Sequence, residues 1–311
     1  RVGIEMMGSH GVLMIGGEVS SSADFDVTAV AEACYRAIGY QDHLDPFVNL
    51  QISPPGAQNG RYSSGMTMVS GYASAATPEM LPFAVVAAGA VARRVDELRT
   101  LDPEFSWLRP DGMVQIGVEG KEIRTIVMYL QHDEDVEEPF IRAKIFERVL
   151  TPILGKIEGA KVLVNHDGKR LEGGFSVSAG VTGRKLMSDT YGGLVPYAGG
   201  ALSGKDPSHI DRLGSYMARY AAKNLLAQNG GLKSVMVQLA YAEGEERPIY
   251  AEAKTGDGRN LTEALVKQFD LRPKAIIERL GLRRPIYQMT ACYGHFGHLE
   301  YPWERVETNI L

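Results

Sequence analysis

Apolar and polar residues follow one another along the chain in a pattern that predicts alternating strands and helices. Gly11–Ser20 and Phe47–Ser53 are apolar runs bounded by glycine or proline, and they predict strands. Between them, Asp26–Tyr40 carries apolar residues at helical spacing behind an acidic cap, which predicts a helix. The first unit of the chain is therefore strand, helix, strand.

The same kind of alternation returns in the rest of the chain. Helices are predicted over Pro82–Thr100, Glu137–Ile157, His209–Gln228 and Leu261–Leu280. Strands are predicted over Val114–Val118, Ile123–Gln131, Lys161–Val164, Ser234–Tyr241 and Ile249–Ala253. We therefore expect an α/β (α+β) fold of three successive units, with subdomains at residues 1–60, 61–170 and 171–311. The Gly-, Ser- and Asn-rich stretch Gly56–Gly71 shows no periodicity and predicts a mobile loop.

Composition narrows the classes of protein that are compatible with this pattern. The 311 residues exceed what one hydrophobic core usually organises, and 44% of them are hydrophobic, so we expect a globular chain of several subdomains. A net charge of −5 disfavours nucleic acid as the main partner. The apolar stretch Leu81–Ala92 is too short to span a bilayer, so no membrane association is expected.

The cysteines and the first residues bear on location and completeness. Cys34 and Cys292 are the two cysteines, too far apart to suggest a disulfide framework, and we expect a reducing, cytoplasmic location. The chain opens at Arg1 with neither an initiator methionine nor a signal peptide. We expect that its true beginning is missing.

The strongest candidate for chemistry is a glycine-rich segment in the last third of the chain. Seven of the 25 residues from Gly180 to Gly204 are glycine, and Arg184, Lys185 and Lys205 lie among or beside them. Glycines let backbone N–H groups approach an anion closely, and the cations neutralise it. This segment predicts a phosphate-binding loop; a plain solvent-exposed loop is the structural alternative.

Two shorter motifs in the C-terminal half admit alternative interpretations. Gly199–Lys205 fits the G-x-x-x-x-G-K pattern of a P-loop, but Asp206 follows where Mg²⁺ binding requires Ser or Thr, so we expect another kind of phosphate loop. Cys292, His295 and His298 have spacing that could suggest zinc. Because no fourth ligand is evident, a tight turn over a core is the favoured interpretation.

Longer motifs resemble those of S-adenosylmethionine synthetases in collinear order over essentially the whole chain. The central and C-terminal ones are Gly183–Gly193 (GRKLMSDTYGG), Gly199–Arg212 (GGALSGKDPSHIDR), Ala218–Asn224 (ARYAAKN), Phe269–Pro273 (FDLRP) and Tyr293–Gly297 (YGHFG). Upstream ones are Gly16-Gly17-Glu18, Trp107–Asp111 (WLRPD) and Gln131-His132. These motifs are long and specific to that family.

The resemblance implies a fold, an assembly and a reaction. It implies three similar α/β subdomains in a pseudo-threefold arrangement, and two chains that pack sheet against sheet in homodimers or tetramers. The implied reaction forms S-adenosylmethionine from ATP and L-methionine with release of phosphate and pyrophosphate, and Mg²⁺ and K⁺ are the implied cofactors. The resemblance further implies catalytic roles for Arg184, Lys185, Lys205 and Asp211. Further implied roles are ATP or phosphate binding for Ala201, methionine binding for Glu18 and His209, and potassium ligation for Glu5.

The chain departs from the family pattern at several positions. No SEGHPDK-type opening precedes the first strand, and Gly60–Gly71 replaces the GAGDQG-type loop. Expected charged residues are replaced by Met113, Ser178 and His209, and an expected apolar residue by Glu243. The glutamine expected before Ser-Pro stands as Ile52, unless Gln51 has shifted register.

Two functions are therefore open at the level of sequence. One is an active synthetase of a divergent branch, with alternative cations such as Lys169, Arg170 or His209. The other is a non-catalytic or half-catalytic subunit that forms a hetero-oligomer with a complete synthetase chain. In both cases nucleotide or polyphosphate binding is favoured by the retention of Arg184, Lys185, Lys205 and Asp211.

Overall fold

The computed structural model describes residues 1–55 and 66–307, which form a mixed α/β fold with three sheets. The strands are β1 (Val2–Ser9), β2 (Val12–Ser20), β3 (Asp45–Ser53), β4 (Thr67–Ser74), β5 (Leu108–Glu119), β6 (Glu122–His132), β7 (Lys161–Val164), β8 (Gly180–Val181), β9 (Ser234–Tyr241) and β10 (Tyr250–Thr255). The helices are α1 (Val27–Ile38), α2 (Phe83–Leu101), α3 (Glu138–Ile145), α4 (Thr151–Leu154), α5 (Leu186–Asp189), α6 (Ile210–Gln228), α7 (Thr262–Gln268) and α8 (Pro273–Arg279).

The first sheet has the strand order β3-β2-β1-β8 and carries helix α1 on one face. Asp26 begins α1 because its side chain accepts a hydrogen bond from the Ala29 N–H at 3.1 Å. Gly39 ends the helix at φ 116°, a left-handed conformation that glycine adopts without strain. Leu13 and Ile15 of β2 pack with Tyr35 of α1, while the opposite face of the sheet is uncovered.

The second sheet has the order β5-β6-β7 and packs on α2 and α3. Its core face is formed by alternate residues of β6, Ile126, Met128 and Leu130, because successive side chains of a strand point to opposite faces. Phe146–Leu150 forms a π-helical turn between α3 and α4, so the helix predicted over Glu137–Ile157 is continuous but irregular.

The third sheet has the order β10-β9-β4 and packs on the buried helix α6. Gly71 of β4 lies so close to Ala218 of α6 that a Cβ there would overlap the helix backbone. Arg219 and Lys223 of α6 both contact the fully buried Glu304, at 2.8 Å each. This buried ion cluster attaches the C-terminal segment to α6.

Most predicted elements are confirmed, and the exceptions have physical reasons. The loop predicted over Gly56–Gly71 is wrong from residue 67 onward, because β4 begins there and pairs with β9; residues 56–65 lie outside the described part of the chain. The single helix predicted over Leu261–Leu280 is broken into α7 and α8, since Pro273 begins a new helix. Within the described ranges, no helix is long and apolar enough to cross a membrane.

Candidate functional site

The glycine-rich segment lies along the free edge of β1 as two short antiparallel pairings. Strand β8 pairs with the end of β1, with Val181 opposite Met7. Further along, the Ile4 N–H donates to the Gly204 carbonyl at 2.8 Å, and the Asp206 N–H donates to the Val2 carbonyl at 2.9 Å. Gly204 has φ 84° and lies against the Ile4 carbonyl, where a Cβ would collide. The segment is therefore held by backbone hydrogen bonds to the first sheet.

This pairing places Lys205 in one row with residues of three strands. Lys205 is opposite Gly3 of β1, Gly3 is opposite Glu18 of β2, and Glu18 is opposite Gln51 of β3. Residues in one cross-strand row point to the same face of a sheet. That face is the uncovered one, which we call the open face. Glu5, two residues further along β1 than Gly3, lies on the same face and is opposite Gly16.

Lys205 and Asp211 form a half-buried ion pair at the start of α6. The Lys205 Nζ lies 2.6 Å from the Asp211 Oδ2, and the Gly200 N–H donates to the other carboxylate oxygen at 2.9 Å. Burial alone would raise the pKa of Asp211, but the hydrogen bonds from Lys205 and Gly200 outweigh it and lower the pKa. Asp211 therefore stays ionised and holds both the lysine and the glycine-rich backbone in place.

His209 lies over Gly3, on the side toward which Glu18 points. Its Nε2 is 3.4 Å from the position that a Cβ on Gly3 would occupy and 4.0 Å from the Asp206 Oδ2. Burial lowers the pKa of His209, and the opposing attraction of Asp206 does not offset that effect. The imidazole is therefore mostly neutral near pH 7, unlike a lysine in the same place.

Arg184 and Lys185 line a separate cavity of about 360 Å³, to which α1 of the first sheet and β5 of the second sheet also contribute residues. Asp111 of β5, Tyr40 after α1 and Ser178 also line it. The Arg184 guanidinium donates to the Ala179 carbonyl within the same loop. The loop that carries Arg184 lies close to the loop that carries Lys205. A Cβ on Gly183 would lie only 2.8 Å from the Cβ of Ala201.

Two polar residues of this cavity region received no role from the sequence. Asp111 accepts a hydrogen bond from the Gly174 N–H at 2.8 Å, and the Gln131 side chain accepts one from the Asp111 N–H at 3.2 Å. Both lie in motifs that resemble the family, WLRPD and Gln131-His132. The motifs were therefore the available signal, but the contact of Asp111 with Gly174, which is 63 positions away, follows only from the fold.

The departures from the family pattern occupy defined positions. Met113 of β5 is 52% exposed on the outer face of the second sheet, and Ser178 lines the 360 Å³ cavity. Gln51, not Ile52, shares the row of Glu18, which favours the shifted register. Glu243 lies exposed just after β9.

The possible metal ligands do not gather into a site within the described residues. Nowhere in residues 1–55 and 66–307 do three His, Cys, Asp or Glu side chains form a group that could hold a metal ion. His295 is buried, its Nδ1 lies 3.0 Å from the Tyr216 hydroxyl, and burial lowers its pKa to about 3. Glu5 is a single exposed carboxylate. These residues alone therefore do not fit a dedicated Mg²⁺, K⁺ or Zn²⁺ site.

Comparisons with known proteins identify the family that this chain resembles over most of its length. The family model for the central domain of S-adenosylmethionine synthetase matches residues 63–170, and the model for the C-terminal domain matches residues 172–305. An S-adenosylmethionine synthase of Petrotoga mobilis is 34% identical over 99% of this chain and 86% of its own length. One of Pseudothermotoga lettingae is 35% identical over 99% of this chain and 88% of its own length.

Proposed function

This chain belongs to the S-adenosylmethionine synthetase family, whose members are methionine adenosyltransferases, and on that premise we propose that it forms S-adenosylmethionine from ATP and L-methionine. The triphosphate that is released in this reaction is then hydrolysed by one water molecule, so phosphate and pyrophosphate are the other products. The observation that carries the proposal is the row on the open face. In that row Lys205, which is held by Asp211, and Glu18 lie on either side of Gly3. A cation and a carboxylate suit a polyphosphate and an amino group, respectively.

The chemistry requires positioning and charge stabilisation rather than a general base. The methionine sulfur attacks C5′ of ATP, the new S–C bond forms as the C5′–O bond breaks, and the triphosphate leaves with the electron pair. A thioether is neutral and needs no deprotonation, so catalysis rests on in-line alignment and on cations around the leaving group. Arg184, Lys185 and Lys205 are the cations that this chain offers on its glycine-rich segment.

We assign roles to the remaining residues of the row from their position. Glu18 binds the methionine ammonium group, and His209 lies next to it, over Gly3, where it contacts the methionine carboxylate. Gln51 completes the row on the far side of Glu18. Ala201 contributes backbone beside the Arg184 loop, close to Gly183.

Mg²⁺ and K⁺ enter the proposal only through the substrate and the assembly. Mg²⁺ prefers oxygen ligands and commonly binds through one or two carboxylates together with substrate phosphates. Asp211, which contacts the glycine-rich segment, already accepts hydrogen bonds from Lys205 and Gly200. We therefore assign Mg²⁺ to the triphosphate it accompanies and derive no catalytic step from either ion.

We further propose that two copies pack together through the open face of the first sheet. Met7, Met14, Phe47 and Val181 are 44–58% exposed on that face and form one row across its four strands. Contiguous exposed apolar groups mark an interaction surface. If the same face of another copy packs there, it also encloses Glu18 and Glu5, so that the site lies between the two copies.

The alternative is a subunit that requires a complete synthetase chain. Met113 and Ser178 carry no charge, and His209 is mostly neutral, so three positions lack the charge that the family pattern provides. The two proposals share the phosphate-binding segment and differ in whether the chain turns over alone.

Binding of tripolyphosphate tests the shared part of the proposal directly. Replacing Arg184 and Lys185 together by Ala should weaken binding more than tenfold, since each charge-assisted contact contributes about 1.5–3 kcal/mol. The matched control is K254A/R259A, which removes two exposed, ion-paired cations from the region of β10. Equal titration curves for wild type and R184A/K185A would refute a phosphate role for this segment.

A further inference from the structure

The first turn of α6 holds Lys205 at two places. Asp211 binds its ammonium group, at 2.6 Å, and the Nη1 of Arg212 donates a hydrogen bond to the Lys205 carbonyl at 2.5 Å. Successive residues of a helix point in directions about 100° apart, so the two side chains reach different parts of the lysine. The start of α6 therefore determines the position of both the side chain and the backbone of Lys205.

The guanidinium group of Arg212 is itself fixed by the core. Arg212 is 4% exposed. Its Nε donates to the Tyr216 hydroxyl and its Nη2 donates to the Thr290 Oγ1, each at 3.1 Å. Its Cζ lies 4.3 Å from the centroid of the Tyr287 ring. The hydrogen bond to Lys205 therefore comes from a group that the C-terminal part of the chain holds in place.

The charge of Arg212 is not neutralised by a neighbouring carboxylate. Among the described residues, no Asp or Glu oxygen lies within 4.0 Å of its guanidinium nitrogens, and its three acceptors are a carbonyl and two hydroxyls. Arg219, also buried on α6, is instead paired with Glu304 at 2.8 Å. Burial of an unpaired cation is unfavourable, and residues that break such a rule are concentrated at functional sites. Arg219 therefore serves the core, whereas Arg212 points to a role at Lys205.

We propose that Arg212 is a positioning residue for the triphosphate, which holds the backbone of Lys205 so that the lysine ammonium group meets the phosphates. The proposal rests on the proposed function, which places the triphosphate at Lys205. A guanidinium group presents five N–H donors in one rigid plane and can hold three acceptors at once, a geometry that an ammonium group does not reproduce. Arg212 acts through Lys205 and does not contact the substrate.

Amide hydrogen exchange of the ligand-free chain tests the hold on Lys205. Two backbone hydrogen bonds flank this residue, one from the Ile4 N–H and one from the Asp206 N–H. Both amides should exchange about tenfold faster in Arg212→Lys and in Arg212→Gln, since loss of one hydrogen bond changes a local opening equilibrium by that order. The control is Thr290→Val, which removes another acceptor of the same guanidinium group and should leave both amides within about threefold of the wild type.

Titration with tripolyphosphate tests whether Arg212 acts through Lys205. Arg212→Lys and Arg212→Gln should each bind about tenfold more weakly than the wild type. The double variant K205M/R212Q should bind within about twofold of Lys205→Met, because an effect that works through Lys205 is already lost in the single variant. Arg212→Lys keeps the charge, so it separates position from charge.

Three results would overturn the positioning role. Losses that multiply in K205M/R212Q would make Arg212 an independent phosphate ligand, and wild-type binding by Arg212→Lys would reduce its contribution to charge. Equally fast exchange in Thr290→Val would reduce the effect to a disturbed core. If the wild-type chain binds no tripolyphosphate, the proposed function fails, whereas the exchange comparison still decides whether Arg212 holds Lys205.

A measurement on the wild-type chain does not depend on how well the variants fold. In ¹⁵N NMR spectra of the arginine side chains, tripolyphosphate should shift the Nε–H signal of Arg184. The signal of Arg212 should stay where it is, because its Nε–H donates to Tyr216 with or without the ligand. An Arg212 signal that moves as far as that of Arg184 would show direct contact with phosphate and contradict the proposal.

Discussion

At the scale of single residues, the ion pair of Lys205 and Asp211 is the part of the site with the clearest geometry. Lys205→Met should weaken ATP binding more than tenfold, since it removes a charge-assisted contact of about 1.5–3 kcal/mol. Lys254→Met is the control, because Lys254 is an exposed lysine paired with Glu252 on β10. Isothermal titration of both variants measures the difference, and equal affinities would exclude Lys205 from the site.

His295 allows a prediction of pH dependence in the same part of the molecule. Burial first, and then the nearby Arg212, lower its pKa to about 3, whereas an unfolded histidine titrates near 6.5. Between these values the unfolded chain binds the extra proton, so this contribution to stability is present above about pH 6.5 and is lost as the pH falls toward 3. From pH 7 to 5 the loss is roughly 2 kcal/mol.

Urea unfolding of wild type and His295→Gln at the two pH values measures this contribution. The variant is expected to be less stable at pH 7, because the contact with Tyr216 changes, but to lose roughly 2 kcal/mol less on acidification. Comparison across pH cancels the constant cost of the substitution. An identical pH dependence in both proteins would show that His295 titrates normally in the folded state.

At the scale of elements, the pairing of the glycine-rich segment with β1 determines where the cations lie. Gly204→Ala should weaken tripolyphosphate binding and increase amide hydrogen exchange in β1, because the new Cβ would collide with the Ile4 carbonyl. Gly258→Ala is a matched control: Gly258 has φ 87° against 84° for Gly204, but no atom lies within 4 Å of its Cβ position. The two variants share the backbone strain and differ in the collision.

Exchange in β1 that is equal in the two glycine variants would contradict this account. It would mean that strain in the loop, rather than its pairing with Ile4, controls the position of Lys205. Because both substitutions introduce the same residue type at nearly the same φ, differences in unfolded-state entropy cancel.

Elements were predictable where local signals are strong. The Asp26 cap identified the start of α1, and apolar periodicity identified α2, α6 and β9. The strand β4 was missed because Thr67–Ser74 is composed largely of small residues and owes its pairing to β9, far along the chain. The contact of Asp111 with Gly174, and the row that joins Lys205 to Glu18, likewise depend on tertiary pairing. Motifs identified the residues, but only the fold brings them together.

At the scale of the whole molecule, the uncovered face of the first sheet predicts a dimer. Met14→Lys should convert the dimer to a monomer, since Met14 is 47% exposed in the middle of the open face. Ile52→Lys is the control, because Ile52 is 74% exposed but in register with Val19, whose side chain is buried on the opposite face. Sedimentation velocity at micromolar concentration measures both; a monomeric wild type would contradict the dimer.

Formation of S-adenosylmethionine by the purified chain alone tests the central claim most directly. With ATP and L-methionine in excess, the account predicts S-adenosylmethionine together with equal amounts of phosphate and pyrophosphate, measured by mass spectrometry and ion chromatography. R184A/K185A should form product more than a hundredfold more slowly, since two charge contacts to the leaving group, about 3–6 kcal/mol together, are removed. No product from the wild-type chain alone, with product only after a complete synthetase chain is added, would contradict the claim and establish the subunit alternative.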